Sequence, residues 1–414
     1  MDESVDAPAV ELTPEAASEV CLDVVERIEE SVVVERRVLF ETLSAVIARG
    51  HVLVEDVPGT GKTVLARVLA EALGLDFGRL QFTPDLLPSD VTGSNVYNEH
   101  DRAFEFAEGP VFTNVVLADE INRAPPKTQA ALLEAMEEGQ VSVDGTTHPL
   151  PDPFVVVATQ NPVEQEGTFQ LPEAQRDRFS VKTSLGYPSV EGEMGLLDRR
   201  ANRRTIAPSV DPAVEPGTVQ ALQELAEDVR VDEKVRRYII EIARKTRGDG
   251  RVEVGVSPRG VQRAFEAARA SAVISGREYV TPDDVKRLTR ATMAHRLVLT
   301  TEATVEGVDP ADVVQAATDA VDVPAVSPEA PEPDPETAPE ASSVTEKPES
   351  EAVSREPAET EGPSDSGLVG EGASQDNLPG EGASGNPSTG DDASGSSSSR
   401  RETTDTGIGR DGSE

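Results

Sequence analysis

The chain has 414 residues, a formal net charge of −39 and a sequence pI near 4.4, long enough for two folded domains and a tail. Such acidity argues against a nucleic-acid partner, because binding there rests on Lys and Arg neutralising phosphates. The single cysteine, Cys21, excludes an internal disulfide and a Cys-based metal cluster, and no apolar run approaches the roughly 20 residues that span a bilayer.

The charge is spread over the whole chain. Residues 321–414 hold 22 acidic and 5 basic side chains, which leaves −22 on the first 320. Arginine outnumbers lysine 31 to 7, and Trp is absent. An acidic, Lys-poor surface suits a salt-rich cytoplasm, where self-repulsion is screened, so a halophilic source is expected. In that case the charge says less about partners. The first residues, MDESVDAPAV, lack a basic and then apolar leader, so a cytoplasmic protein is expected.

In chain order, residues 1–15 are expected to be disordered. Val20 to Ala48 carries apolar residues at helical spacing (Val24, Ile28, Val38, Leu39, Leu43, Ile47) and is read as a helix ended by Arg49-Gly50. Between His51 and Pro188, β-branched runs alternate with helical stretches. The runs are His51–Val54, Leu80–Phe82, Asn114–Ala118, Phe154–Thr159 and a weaker one at Phe179–Thr183. This alternation predicts an α/β core, a parallel sheet between helices, over 16–188. Two features interrupt it: Phe104–Phe106 reads as a strand ending in a turn, and Asp144-Gly145 reads as a hairpin turn. Residues 189–305 read as an all-helical second domain, with breaks at Ala207–Pro216, Gly248–Ser257 and Gly276–Pro282. Residues 306–321 read as a linker. Residues 322–414 form a Pro, Gly and Ser-rich tail with a degenerate ten-residue repeat, expected to be disordered because it cannot bury enough apolar area to offset ordering entropy.

Three segments carry chemistry. The first is HVLVEDVPGTGKT, His51–Thr63: a strand, a Gly-rich turn and a helix start, which read together as a nucleoside triphosphate site. Pro58, Gly59, Thr60, Gly61, Lys62, Thr63 and Val64 would cradle the phosphates. Lys62 would meet the β and γ phosphates, and Thr63 would give its hydroxyl to Mg²⁺. Asp56 departs from the usual pattern, which begins with Gly. In the second segment, Val115–Ala118 runs into Asp119-Glu120. A buried parallel strand ending there puts both acids beside the phosphate loop. Asp119 would hold Mg²⁺ through water, and Glu120 would act as general base on the attacking water. The third is Gln160-Asn161-Pro162, where a polar amide at the end of a core strand can orient that water. No residue run specifies guanine, which favours ATP. The histidines His51, His100, His148 and His295 lack metal-like spacing.

The run Asp119-Glu120-Ile121-Asn122-Arg123-Ala124-Pro125-Pro126-Lys127-Thr128-Gln129, continued by Leu132-Leu133-Glu134-Ala135-Met136-Glu137-Glu138, resembles the signature of MoxR-type AAA+ ATPases. So do Thr159–Pro162, Glu166–Phe169, Leu171–Gln175, Asp177–Phe179 and Val256–Gly260, and the resemblance spans about Val20 to Thr300. It implies an AAA+ P-loop core followed by a helical lid, ATP and Mg²⁺ as cofactors, and a ring-forming homo-oligomer, expected to be a hexamer. It also implies roles. Asn161 would be the first sensor, Arg178 the arginine finger acting on a neighbour's ATP, with Arg176 as its rival, and Arg259 the second sensor on the lid. Arg123 belongs to the signature without an assigned role. The two interruptions would be hairpins facing a substrate protein, with Phe104 and Phe106 as contacts. The implied work is remodelling or assembling a protein client, including metal-cofactor insertion, with a von Willebrand factor A domain adaptor. A magnesium-chelatase-type motor subunit and a slow ATP-dependent binding switch stand as alternatives.

Overall fold

A computed structural model of the chain describes residues 12–162, 168–169, 171–202, 209–215 and 217–326. Residues 1–334 make one unit, and the second, 335–414, lies wholly outside the described residues, as does the repeat.

Thr13 caps the first helix, α1 (Pro14–Ser31), by accepting the Ala16 N–H at 3.3 Å, with Pro14 in the first turn. The helix therefore starts inside the stretch expected to be disordered. The single helix expected over 20–48 is two, α1 and α2 (Arg36–Ile47). Three consecutive valines, Val32–Val34, are apolar enough to continue a helical pattern, but Val32 adopts extended backbone at φ −126° and ψ 139°. β-branched side chains favour that conformation.

The core follows as β1 (Val52–Glu55), α3 (Lys62–Ala72), β2 (Phe77–Gln81), α4 (Pro88–Thr92), β3 (Gly93–Asn98), β4 (Ala103–Glu108), β5 (Val115–Asp119), α5 (Pro126–Glu138), β6 (Gln140–Val143), β7 (Thr146–Pro149), β8 (Val155–Gln160), α6 (Glu173–Arg176) and β9 (Val181–Thr183). The five strands expected in the core form one parallel sheet, ordered β2-β5-β8-β1-β9. Its side chains alternate between two apolar clusters. Val115, Leu117, Val155 and Val157 pack with α1–α3, while Val116, Ala118, Val156 and Ala158 pack with α5. Sheets covered on both faces read as continuous apolar runs for this reason. Phe104–Phe106 is not a lone strand: β4 pairs antiparallel with β3, and β6 with β7 makes the expected second hairpin. Asn95 Nδ2 donates to Asp144 Oδ2 at 2.8 Å, and Phe106 stacks on His148, so the hairpins touch.

The second part holds α7 (Val190–Asn202), α8 (Thr218–Asp228), α9 (Glu233–Arg247), β10 (Val252–Val254), α10 (Pro258–Ile274), α11 (Pro282–Met293), β11 (Val298–Leu299), α12 (Thr301–Val305) and α13 (Pro310–Asp319). Two expectations change here. The break at Gly248–Ser257 contains β10, which pairs with β11, so the domain is not purely helical. The expected linker, 306–321, contains α13, with Val313 and Val314 buried. The cluster around α1–α3 runs on without interruption through Val256, Ala264, Val273 and Met293 of the helical part.

Candidate functional site

Where β1 ends, the chain turns through Gly59 and Gly61 at φ 88° and 97° before α3 begins at Lys62. Nothing lies within 4 Å of a Cβ built on either glycine. The backbone conformation demands glycine at both positions, and crowding plays no part. The open space and the first-turn N–H groups of α3, which have no acceptor within the helix, suit an anion. Pro58, Gly59, Gly61, Lys62, Thr63 and Val64 line a cavity of about 310 Å³ with Asp119, Glu120 and Asn161 on its other walls. Thr60 is outside that lining and donates its hydroxyl to Val57 O at 3.2 Å.

Lys62 Nζ donates to Asp56 O at 2.7 Å and Val57 O at 2.8 Å, curled into its own loop. Partial burial lowers the lysine pKa, and the nearby carboxylates of Asp56, Asp119 and Glu120 oppose this. Asp56 is an anchor. Its Oδ2 accepts the Gly186 N–H at 2.7 Å and the Ser184 hydroxyl at 3.2 Å, and its Oδ1 accepts the Val57 N–H at 2.8 Å.

Asp119 and Glu120 stand at the end of β5, a fully buried strand between β2 and β8. Thr63 Oγ1 lies 3.4 Å from Asp119 Oδ2. A hydroxyl and a carboxylate oxygen at a phosphate cradle are hard donors, a set that fits Mg²⁺. Thr159, whose role spacing alone did not reveal, donates its hydroxyl to Asp119 Oδ1 at 2.6 Å and accepts the Glu120 N–H at 2.9 Å. It orients the Asp119 carboxylate and fixes the backbone from which Glu120 projects. Glu120 sits in the left-handed region, φ 57° and ψ 49°, uncommon for a residue with a Cβ. Its carboxylate accepts from Gln81 Nε2 at 2.9 Å and pairs with Arg123 Nε at 3.1 Å, which gives Arg123 a partner in the site. Arg79 Nη2 reaches Asp119 Oδ2 at 2.7 Å. Arg79 and Gln81 flank the buried Leu80 on β2. That polar–apolar–polar alternation beside Asp119 is the signal that could have placed them here.

The two other arginines are placed together, away from the lining of this cavity. Arg178 Nη2 lies 3.1 Å from Glu137 Oε2, and Arg259 Nη1 lies 2.8 Å from Glu137 Oε1. Arg178 also donates to Leu133 O. Arg176 is in α6, and its buried Nε has no hydrogen-bond partner among the described residues. Of the loop before Leu171, residues 163–167 and 170 lie outside the described residues.

Comparison with known proteins agrees with this geometry. A family model described as the ATPase family associated with various cellular activities (AAA) matches residues 51–181, and an AAA lid domain model matches 244–339. The Chaperone MoxR1 of Mycobacterium tuberculosis is 38% identical over 336 residues, 78% of this chain and 88% of that protein. The chain belongs to the MoxR family of AAA+ ATPases. An uncharacterized Bacillus subtilis protein, YeaC, is 49% identical over 300 residues, 72% of this chain and 93% of that one. The crystal structure of a proposed ATPase from Cytophaga hutchinsonii matches with a TM-score of 0.70 and 37% identity, covering 75% of this chain and 97% of that chain. The MoxR fold expected from the sequence, an AAA core with a lid, is thus the fold observed. No described helix is long and apolar enough to cross a membrane.

Proposed function

We propose that this MoxR-family chain hydrolyses ATP with Mg²⁺ at sites shared between neighbouring copies in a ring, taken as a hexamer, to remodel or assemble a client protein. Glu120 polarises the attacking water, with Asn161 helping to orient it. Lys62 and the loop hold the phosphates, and Thr63 with Asp119 holds Mg²⁺. Arg178 and Arg259 supply positive charge to a neighbour's γ phosphate. The observation that carries this reading is their meeting on Glu137, apart from the cavity of Lys62 and Glu120 in the same chain. Arginines supplied in trans make hydrolysis depend on assembly.

The test mixes two inactive variants. Arg178→Ala keeps its own phosphate site, and Lys62→Ala keeps its arginines. Together they regain turnover if sites are shared, and a mixture as inactive as its parts contradicts sharing.

The client side rests on resemblance and on exposure. Phe104, 72% exposed at the hairpin tip, offers an aromatic contact for an extended protein segment. A von Willebrand factor A domain adaptor and metal-cofactor insertion fit the same reading; Glu120→Gln subunits held in the ATP state should retain such partners through a pull-down. The paired state of Glu120, held by Gln81 and Arg123, supports a second reading: a slow binding switch until a partner engages. Turnover per subunit with and without an adaptor separates the two. The acidic, Lys-poor composition supports a salt-rich cytoplasm, and an unfolding midpoint indifferent to molar KCl would count against it.

A further inference from the structure

Asp177 immediately precedes Arg178, and its carboxylate is the point where the helical part grips the core. Arg296 Nε donates to Asp177 Oδ1 at 2.7 Å, and Ser257 Oγ donates to Oδ2 at 3.2 Å. Ser257 is the N-cap of α10, accepting the Gly260 N–H at 3.0 Å, and Arg259 sits in the first turn of that helix. Arg296 is only 2% exposed, and its other nitrogens reach the backbone on both sides of Arg178. Nη2 donates to Asp177 O at 3.1 Å and Phe179 O at 2.8 Å, and Nη1 to Ser180 O at 3.4 Å and to Thr292 O. A Cβ at Gly260 would lie 2.7 Å from Arg296 Cδ, so the glycine leaves the room in which Arg296 passes beneath α10. Outside, Glu137 takes both Arg178 and Arg259.

We propose that Arg296 and Asp177 are positioning residues that pin Arg178, Arg259 and the lid helices into one rigid arm, so that the lid follows the neighbouring copy's nucleotide rather than closing over its own. The proposal rests on the shared-site reading above. The apolar cluster continuous from α1–α3 into α8, α10 and α11 supports it, because a swing of the lid against the core would break that packing. A buried guanidinium satisfied by a carboxylate and four backbone carbonyls is also costly to disturb, which favours motion of the whole arm.

The test uses the full chain with Asp177→Asn, which keeps the side chain's shape and one acceptor. Turnover is expected to fall roughly 10- to 100-fold, the effect of a misplaced reacting group. Affinity of its own site for a fluorescent ATP analogue is expected to stay within about twofold, since that site is separate. Mixing with Lys62→Ala should restore turnover as fully as it does for Arg178→Ala, because the Lys62→Ala subunit contributes an intact arm. A purely structural role would not give that rescue. Rescue of Arg178→Ala without rescue of Asp177→Asn overturns the pin. Rescue of neither overturns the shared site, and the arm with it. Wild-type turnover in Asp177→Asn also overturns the pin. If Asp177→Asn does not fold, Arg296→Lys combined with Ser257→Ala carries the same test with the same expected pattern.

Discussion

Arg79 on β2 donates to Asp119 on the adjacent strand, Nη2 to Oδ2, at 2.7 Å. The same oxygen lies 3.4 Å from Thr63 Oγ1, where a divalent cation would arrive with the nucleotide. On the proposed Mg²⁺ role of Asp119, the guanidinium and the cation would compete for one carboxylate. Arg79 is half exposed, and such a pair is worth about 0.5–1 kcal/mol. Replacing Arg79 with Met should lower the Mg²⁺ concentration for half-maximal turnover by roughly two- to fivefold. A titration of Mg²⁺ at fixed ATP reads this, and an unchanged or raised requirement counts against competition.

Asp56 occupies a position where the usual phosphate-loop pattern has glycine, yet changing it to Gly should weaken the protein. The carboxylate ties the loop to Ser184 and Gly186 just beyond β9, and the Asp56 carbonyl holds Lys62 Nζ. Losing a charged acceptor and freeing the backbone should cost about 1–3 kcal/mol. The unfolding midpoint should drop by roughly 2–4 °C for each kcal/mol lost, with weaker ATP binding. A midpoint that holds or rises in Asp56→Gly would show that the anchor contributes nothing.

His51 gives the fold an acid-sensitive joint. It is buried between β8 and α5. Its Nδ1 accepts the Val156 N–H at 3.1 Å, so Nε2 carries the proton and donates to Met136 O at 3.0 Å. Burial, chiefly, pulls its pKa from 6.5 down to about 4. The unfolded state thus binds the extra proton first. The stability is fully present above pH 6.5 and is lost as pH falls toward 4, up to about 3 kcal/mol. His295, also buried and lowered, contributes in the same direction. Denaturant unfolding from pH 7 to 4 should show a shallower loss in His51→Gln than in the parent. Parallel pH profiles would contradict the assignment.

How much of this could be read in the sequence depends on what each residue packs against. The sheet was legible because its central strands are buried on both faces and read as apolar runs. The phosphate loop was legible because Gly59 and Gly61 must take positive φ. The run Leu80–Phe82 lies later in the chain than β2, Phe77–Gln81, because Arg79 and Gln81 face the acids rather than the core and break the apolar signal. The break between α1 and α2 was hidden by Val32–Val34, whose apolar character satisfies either conformation. α13 lies where composition alone reads as linker, although Asp309 caps it and Pro310 opens its first turn, because a short Ala- and Val-rich segment shows its burial only in the tertiary packing. The meeting of Arg178 with Arg259 was not legible at all. It depends on Glu137, distant from both in the chain and joined to them only by the tertiary fold.

The central claim, ATP hydrolysis driven by Glu120, is tested most directly by Glu120→Gln with turnover and ATP affinity measured on the same preparation. The amide keeps the size of the side chain and can still meet Arg123 and Gln81, but it cannot take a proton from water. Turnover should fall by roughly 10²- to 10⁴-fold, the usual contribution of a general base, while the variant still binds ATP. Undiminished turnover in Glu120→Gln, with binding intact, would contradict the account.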